Sequence, residues 1–226
     1  MILNSIPINV LVILIPTLVF ALSFHEFAHG YVAYLLGDNT AERNGRLTLN
    51  PLAHLDVMGS LMILFVGFGW AKPVPVDPRN FDQPRRDMMY VAIAGPLSNL
   101  ALAVICGFFI RIINPYDSWI LFTLLSFGVY INVALAIFNL LPVFPLDGSS
   151  VIKGLVPFNV AERLIGLDRF GAFLLIGVVL LDHFAHTGIL GVILWVPIIT
   201  GVQFLSQDAF PDIYNVLRIS FSTISG

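Results

Sequence analysis

Charge is scarce in this chain. Only 11% of its 226 residues are Asp, Glu, Lys or Arg, against 58% hydrophobic residues, whereas a soluble domain carries about 25% charged residues. So few charges cannot cover a surface that faces water, and the mean hydropathy of +0.90 agrees. An ordinary soluble fold is excluded. The net charge is −3, with no basic run, so no nucleic acid is expected as a partner. Cysteine is nearly absent as well. Cys106 stands alone inside an apolar run, which rules out an intrachain disulfide and suits a buried or lipid-facing thiol. The N-terminal stretch MILNSIPINVLVILIP has neither the positively charged start nor the small-residue cleavage site of a signal peptide, so it reads as the first transmembrane helix. Internal repeats, low-complexity tracts and long linkers are missing too. A single integral-membrane domain over residues 1–226 is expected, with a core at 6–150 and C-terminal helices at 151–226.

What is present is apolar length. Residues 6–36, 88–111, 118–141 and 189–206 each have spanning length, the second and third at 24 residues or roughly 36 Å. Pro197 is expected to kink the last. Residues 170–182 form a shorter apolar stretch. Residues 57–70, VMGSLMILFVGFGW, hold three glycines in fourteen residues and suit a re-entrant segment better than a span. The expected fold is an all-α polytopic membrane protein with about five to six transmembrane helices and a small re-entrant β/loop element. Re-entry gathers ten of the eleven basic residues on one face, with only Arg111 opposite. By the positive-inside rule that face is cytoplasmic, the N-terminus outside and the C-terminus inside.

Three polar residues interrupt the first span: His25, Glu26 and His29. Each ionisable group at membrane depth costs about 2–3 kcal/mol, so three together require a purpose. On a helix, positions four apart share a face, and both imidazoles can reach one zinc ion. Glu26 is placed to take a proton from water. Zinc needs a third protein ligand. Asp147 lies at the cytoplasmic end of a spanning helix, at matching depth, while Glu42 or His54 could ligate from the polar loop that follows His29. His183 and His186 fall on the opposite face and read as exposed loop residues.

HEFAH at 25–29, GPLSN at 95–99 and NLLPVFPLDG at 139–148, supported by NPLAHLD at 50–56 and GWAKPVPV at 69–76, closely resemble the site-2 protease family of intramembrane zinc metalloproteases, peptidase family M50. The motifs occur in order over about residues 20–150. The resemblance implies a core of three helices, one Zn2+ ion held by His25, His29 and Asp147, and Glu26 as general base. It also implies hydrolysis of peptide bonds in single-span membrane proteins near the cytoplasmic side. Family members often carry appended PDZ or CBS domains. This chain looks like a minimal, core-only member, so regulation would fall to the membrane core or to a separate membrane partner. Asn139 is read as a hydrogen-bonding partner for substrate backbone or as a local backbone cap. Asn99 reads as a helix-packing residue, and Gly95 and Pro96 as shaping a helix start. Gly67, Phe68 and Gly69, leading into the proline-rich 72–76, read as an extended edge that could pair with unwound substrate. A bacterial cell membrane is the expected location. A transporter would distribute polar groups along several spans, and a di-iron oxygenase needs about eight histidines where this chain has five. Neither fits.

Overall fold

A computed structural model describes residues 7–59, 71–113, 117–185, 187–188 and 191–221. Nine α-helices are described: α1 (Ile8–Leu35), α2 (Thr40–Arg43), α3 (Pro51–His54), α4 (Pro84–Ile110), α5 (Trp119–Asn139), α6 (Asp147–Leu155), α7 (Phe158–Ala185), α8 (Val196–Ser206) and α9 (Phe210–Phe221). No strand forms among the described residues. The all-α reading holds.

Four segments are long and apolar enough to cross a membrane: Ile8–Leu35, Pro84–Ile110, Trp119–Asn139 and Gly191–Arg218. Helix α7 has the length, at 28 residues, but Glu162, Arg163, Asp168 and Arg169 occupy its first half. The outer faces of the bundle expose Ile8, Val12, Phe20, Val104, Phe108, Ile120 and Leu124. Side chains of this kind are stable only against hydrocarbon, which makes the chain a multi-pass membrane protein in contact with the lipid bilayer.

Helices α1, α4 and α5 pack on one another and form the three-helix core. Helix α4 runs antiparallel to α1, because His29 meets Val91 while Ala21 meets Asn99. One end of the bundle therefore gathers the end of α1, the start of α4 and the polar loops between them (the loop end). Apolar packing is densest toward the other, far end, where Val10, Ile13, Ile110, Phe122, Ile213 and Leu217 belong to one buried cluster.

The last described segment differs from expectation. Residues 191–195 form a π turn, and Pro197 falls in the first turn of α8. Its missing N–H is absorbed by that wider turn instead of kinking a continuous span. The chain then bends at Gln207, φ 48°. Arg111, at the end of α4, donates to the Phe204 and Leu205 carbonyls. Helix α8 thus ends at the far end beside Arg111, and the expected return of this span to the basic face is not what the bundle shows.

Two ties organise the loop end. Asp38 is fully buried, its Oδ1 accepting from Thr40 Oγ1 at 2.5 Å and Asn80 Nδ2 at 2.7 Å, and its Oδ2 from the Asp77 N–H at 2.8 Å. Burial pushes this carboxyl's pKa up, but the hydrogen bonds from Thr40, Asn80 and the Asp77 backbone outweigh it and hold the pKa below the usual value. The second tie is an isolated antiparallel bridge between Leu55 and Ala71, with the Lys72 N–H donating to the His54 carbonyl at 2.8 Å. The two flanks of residues 56–70 therefore lie side by side. The expected re-entrant stretch itself falls largely on residues 60–70, outside the described residues.

Candidate active site

Helix α1 brings His25, Glu26 and His29 to one place because four residues make about one helical turn. Both histidines are buried, their ring centroids 4.5 Å apart and their planes nearly perpendicular. Facing them is Asp147, the first residue of α6. Its Oδ2 lies 3.2 Å from His25 Nε2 and 3.3 Å from His29 Nε2, and the two Nε2 atoms are 2.9 Å apart. The neighbouring Gly148 permits this placement. A Cβ there would come within 2.2 Å of the Leu140 carbonyl oxygen, so α6 can start against the end of α5 only without a side chain at that position.

Two hydrogen bonds set the state of the rings. His25 Nδ1 is 2.6 Å from Asn99 Oδ1, and His29 Nδ1 is 2.7 Å from the Val91 carbonyl oxygen. Both partners are acceptors, since Asn99 commits its Nδ2 to Asn132 Oδ1 at 2.8 Å and to the Ala21 carbonyl at 3.4 Å. Each Nδ1 therefore donates, which leaves the Nε2 of each neutral imidazole as a lone pair. Asp147 Oδ2 is buried with no hydrogen-bond partner. With both imidazoles neutral, three lone-pair atoms thus converge. They repel one another unless a cation sits among them, so the residues fit a metal ion. His25, His29 and Asp147 are the His/Cys/Asp/Glu group among the described residues whose ligand atoms lie within 4.8 Å of one another. Two imidazole nitrogens and a carboxylate suit zinc.

The packing around the rings is as specific as the polar contacts. Gly95 and Pro96 do not start a helix; they lie inside α4. A Cβ on Gly95 would come 2.4 Å from His29 Nε2 and 2.5 Å from His25 Cε1, so both rings lie flush on α4 there. Pro96 lacks the N–H that would bond the Ala92 carbonyl, next along the helix from the Val91 carbonyl that accepts from His29.

Glu26 Oε2 accepts from the Val74 N–H at 2.8 Å. Both residues line a cavity of about 610 Å³ shared with the side chains of His25, His29 and Asp147, Val91 and Ala92 of α4, Leu135, Phe138 and Asn139 of α5, and Ala172, Leu175 and Ile176 of α7. Apart from the polar cluster its walls are mainly apolar. Asn139 faces this cavity while its Nδ2 donates to the Leu135 carbonyl at 3.0 Å. The alternatives for third ligand are not brought in. His54 is buried elsewhere with its Nε2 2.7 Å from the Thr48 carbonyl oxygen, and Glu42 is exposed on α2. Gly67, Phe68 and Gly69 lie outside the described residues, as do His186 and the side chain of His183. Two participants escaped the sequence reading: Asn132, and the Val74 amide that holds Glu26. An asparagine within GVYINVALAIF is itself a signal, because a buried amide in an apolar span must find partners.

Comparison with known proteins bears directly on this arrangement. The profile of peptidase family M50 matches residues 110–181. The chain is 42% identical over 172 residues to YwhC of Bacillus subtilis (strain 168), named a candidate zinc metalloprotease, covering 73% of this chain and 78% of that one. The chain belongs to peptidase family M50. This M50 protein is also 27% identical over 201 residues to Rip2 of Mycolicibacterium smegmatis, covering 87% of it and 77% of that relative, likewise named a candidate zinc metalloprotease. The Rip2 of Mycobacterium tuberculosis (strain H37Rv) is 28% identical over 201 residues, with 86% and 76% covered. No solved structure gives a significant match. As an M50 member the protein is a membrane zinc metalloprotease of the site-2 protease type.

Proposed function

We propose that this M50 protein cleaves single-span membrane proteins within the bilayer, at one zinc ion held by His25, His29 and Asp147, with Glu26 as general base. The observation that carries this reading is the convergence of the two Nε2 atoms and Asp147 Oδ2 with every nearby proton turned away. A bound zinc ion supplies a Lewis acid that polarises the peptide carbonyl and acidifies water. Glu26 takes the proton from the water that attacks the carbonyl carbon and returns it to the amide nitrogen as the C–N bond breaks. The apolar walls exclude bulk water and accept the side chains of a membrane segment.

A helical substrate bonds its own backbone and must open before attack. Along 72–76, the Lys72 and Val74 amides are engaged and Pro73 and Pro75 have none, while Arg46 donates to the Lys72 and Pro73 carbonyls. Holding an opened substrate backbone is therefore proposed for Gly67, Phe68 and Gly69, which precede this stretch in the sequence, together with Asn139, which lines the cavity. Arg43, Arg46, Lys72, Arg79, Arg85 and Arg86 all sit at the loop end, and the positive-inside rule supports reading that end as cytoplasmic and the start of α1 as outside.

Zinc content and cleavage of a single-span substrate, measured on purified protein in detergent, test this directly. His25→Ala and Asp147→Ala should lose zinc and activity together. Glu26→Gln should keep its zinc and lose about 100-fold or more in rate. Full zinc occupancy in Asp147→Ala would remove it from the ligand set, and a turnover like the parent's in Glu26→Gln would remove Glu26 as base.

A further inference from the structure

Beyond the ligands, a line of amides runs through the interior of the bundle. Asn132 Nδ2 donates to the Gly128 carbonyl at 2.8 Å. Asn132 Oδ1 accepts from Asn99 Nδ2 at 2.8 Å, and Asn99 Oδ1 faces His25 Nδ1 at 2.6 Å. Asn99 and Asn132 are 0% and 3% exposed, on α4 and α5, while His25 is on α1. The direction of the line is fixed at its start, because a backbone carbonyl can only accept. The Asn132 amide nitrogen must face Gly128, so its oxygen faces Asn99. The Ala21 carbonyl, 3.4 Å from Asn99 Nδ2, anchors the second amide the same way. Asn99 can then present only its oxygen to His25. His29 has no such line: its Nδ1 meets the Val91 backbone directly.

We propose that Asn99 and Asn132 are positioning residues that hold His25 in its Nδ1–H tautomer, so that Nε2 is free for the metal. This rests on the metal site proposed above. Two buried amides in apolar helices each cost free energy unless all their groups are paired, and the pairing here ends on a ligand imidazole. A partner on the second ring nitrogen fixes both the ring's orientation and its tautomer.

The test uses the full chain purified in detergent. Zinc affinity is measured by competition with a chromophoric chelator, and the His25 tautomer by nitrogen NMR of the metal-free, 15N-histidine-labelled protein. Asn99→Leu should weaken zinc binding by about 10- to 100-fold and release His25 from the Nδ1–H form. Asn132→Leu should weaken it in the same direction, yet add less than about twofold when combined with Asn99→Leu, since the line is already cut. Merely structural losses would add instead. Asn132→Asp, neutral when buried in an apolar span, keeps an O–H donor for the Gly128 carbonyl and an acceptor for Asn99, and should retain affinity within about threefold of the parent. Parent-like zinc affinity in Asn99→Leu, or additive losses in the double variant, would overturn the proposal. Should Asn99→Leu not fold, equal affinities for Asn132→Leu and Asn132→Asp would overturn it as well. Zinc retained in His25→Ala would instead sink the metal site itself.

Discussion

At the scale of single residues, Gly95 shows how little room the site allows. His25 and His29 lie on bare backbone at that point, and a methyl group would press into both rings. Overpacking of this kind costs about 1–3 kcal/mol, which at 1.4 kcal/mol per decade lowers metal affinity by about 5- to 150-fold. Gly95→Ala should therefore lose zinc affinity by that factor in the chelator assay. An unchanged affinity would mean the rings can shift without harm. The two histidines and Glu26 were legible in the sequence because ionisable groups stand out in an apolar run, and their spacing names a helix face. Asp147 was only one of three candidates until the family resemblance selected it, since nothing in linear spacing ties residue 147 to residue 25. Asn132 went unread because it lies outside the motifs that drew attention to Asn99 and Asn139 and an amide carries no charge, although the same desolvation argument applies to it.

Among the elements, α6 links the site to the rest of the bundle. It begins with Asp147, packs on α4 where a Cβ on Gly154 would meet Met89 at 2.4 Å, and sends Lys153 to Asp168 of α7 at 2.5 Å. Lys153 also donates to Ser149 at 2.7 Å. Because α7 supplies Ala172, Leu175 and Ile176 to the cavity wall, this partly buried pair fastens the wall to the helix that carries Asp147. Lys153→Met should destabilise the protein by about 1–2 kcal/mol, discounted for partial exposure, because Asp168 is left unpaired. Adding Asp168→Leu should recover most of that loss. A double variant no more stable than Lys153→Met, judged by thermal unfolding in detergent, would show that the pair is not coupled. The long helices were readable from apolar runs alone. The course of the last segment was not, because its end is set by Arg111 reaching the Leu205 carbonyl, a contact between residues 94 apart.

For the whole molecule, the proposed orientation rests on charge placement at the two ends of the bundle. The lone cysteine makes it measurable. In a Cys106→Ala background, Asp117→Cys should react with an impermeant thiol reagent added to intact cells, and Arg43→Cys should react only after lysis; both positions are exposed. The reverse pattern would invert the assignment. The division of the site between α1 and α6 also has a consequence in time. During synthesis His25 and His29 leave the ribosome well before Asp147, which at roughly 5–20 residues per second follows many seconds later. A nascent chain can hold both imidazoles in the bilayer and still lack Asp147, the third ligand proposed above. Hydrolytic competence therefore arrives late in translation, after the three core helices have been made, and a growing chain gains no power to cut its neighbours before its own bundle exists.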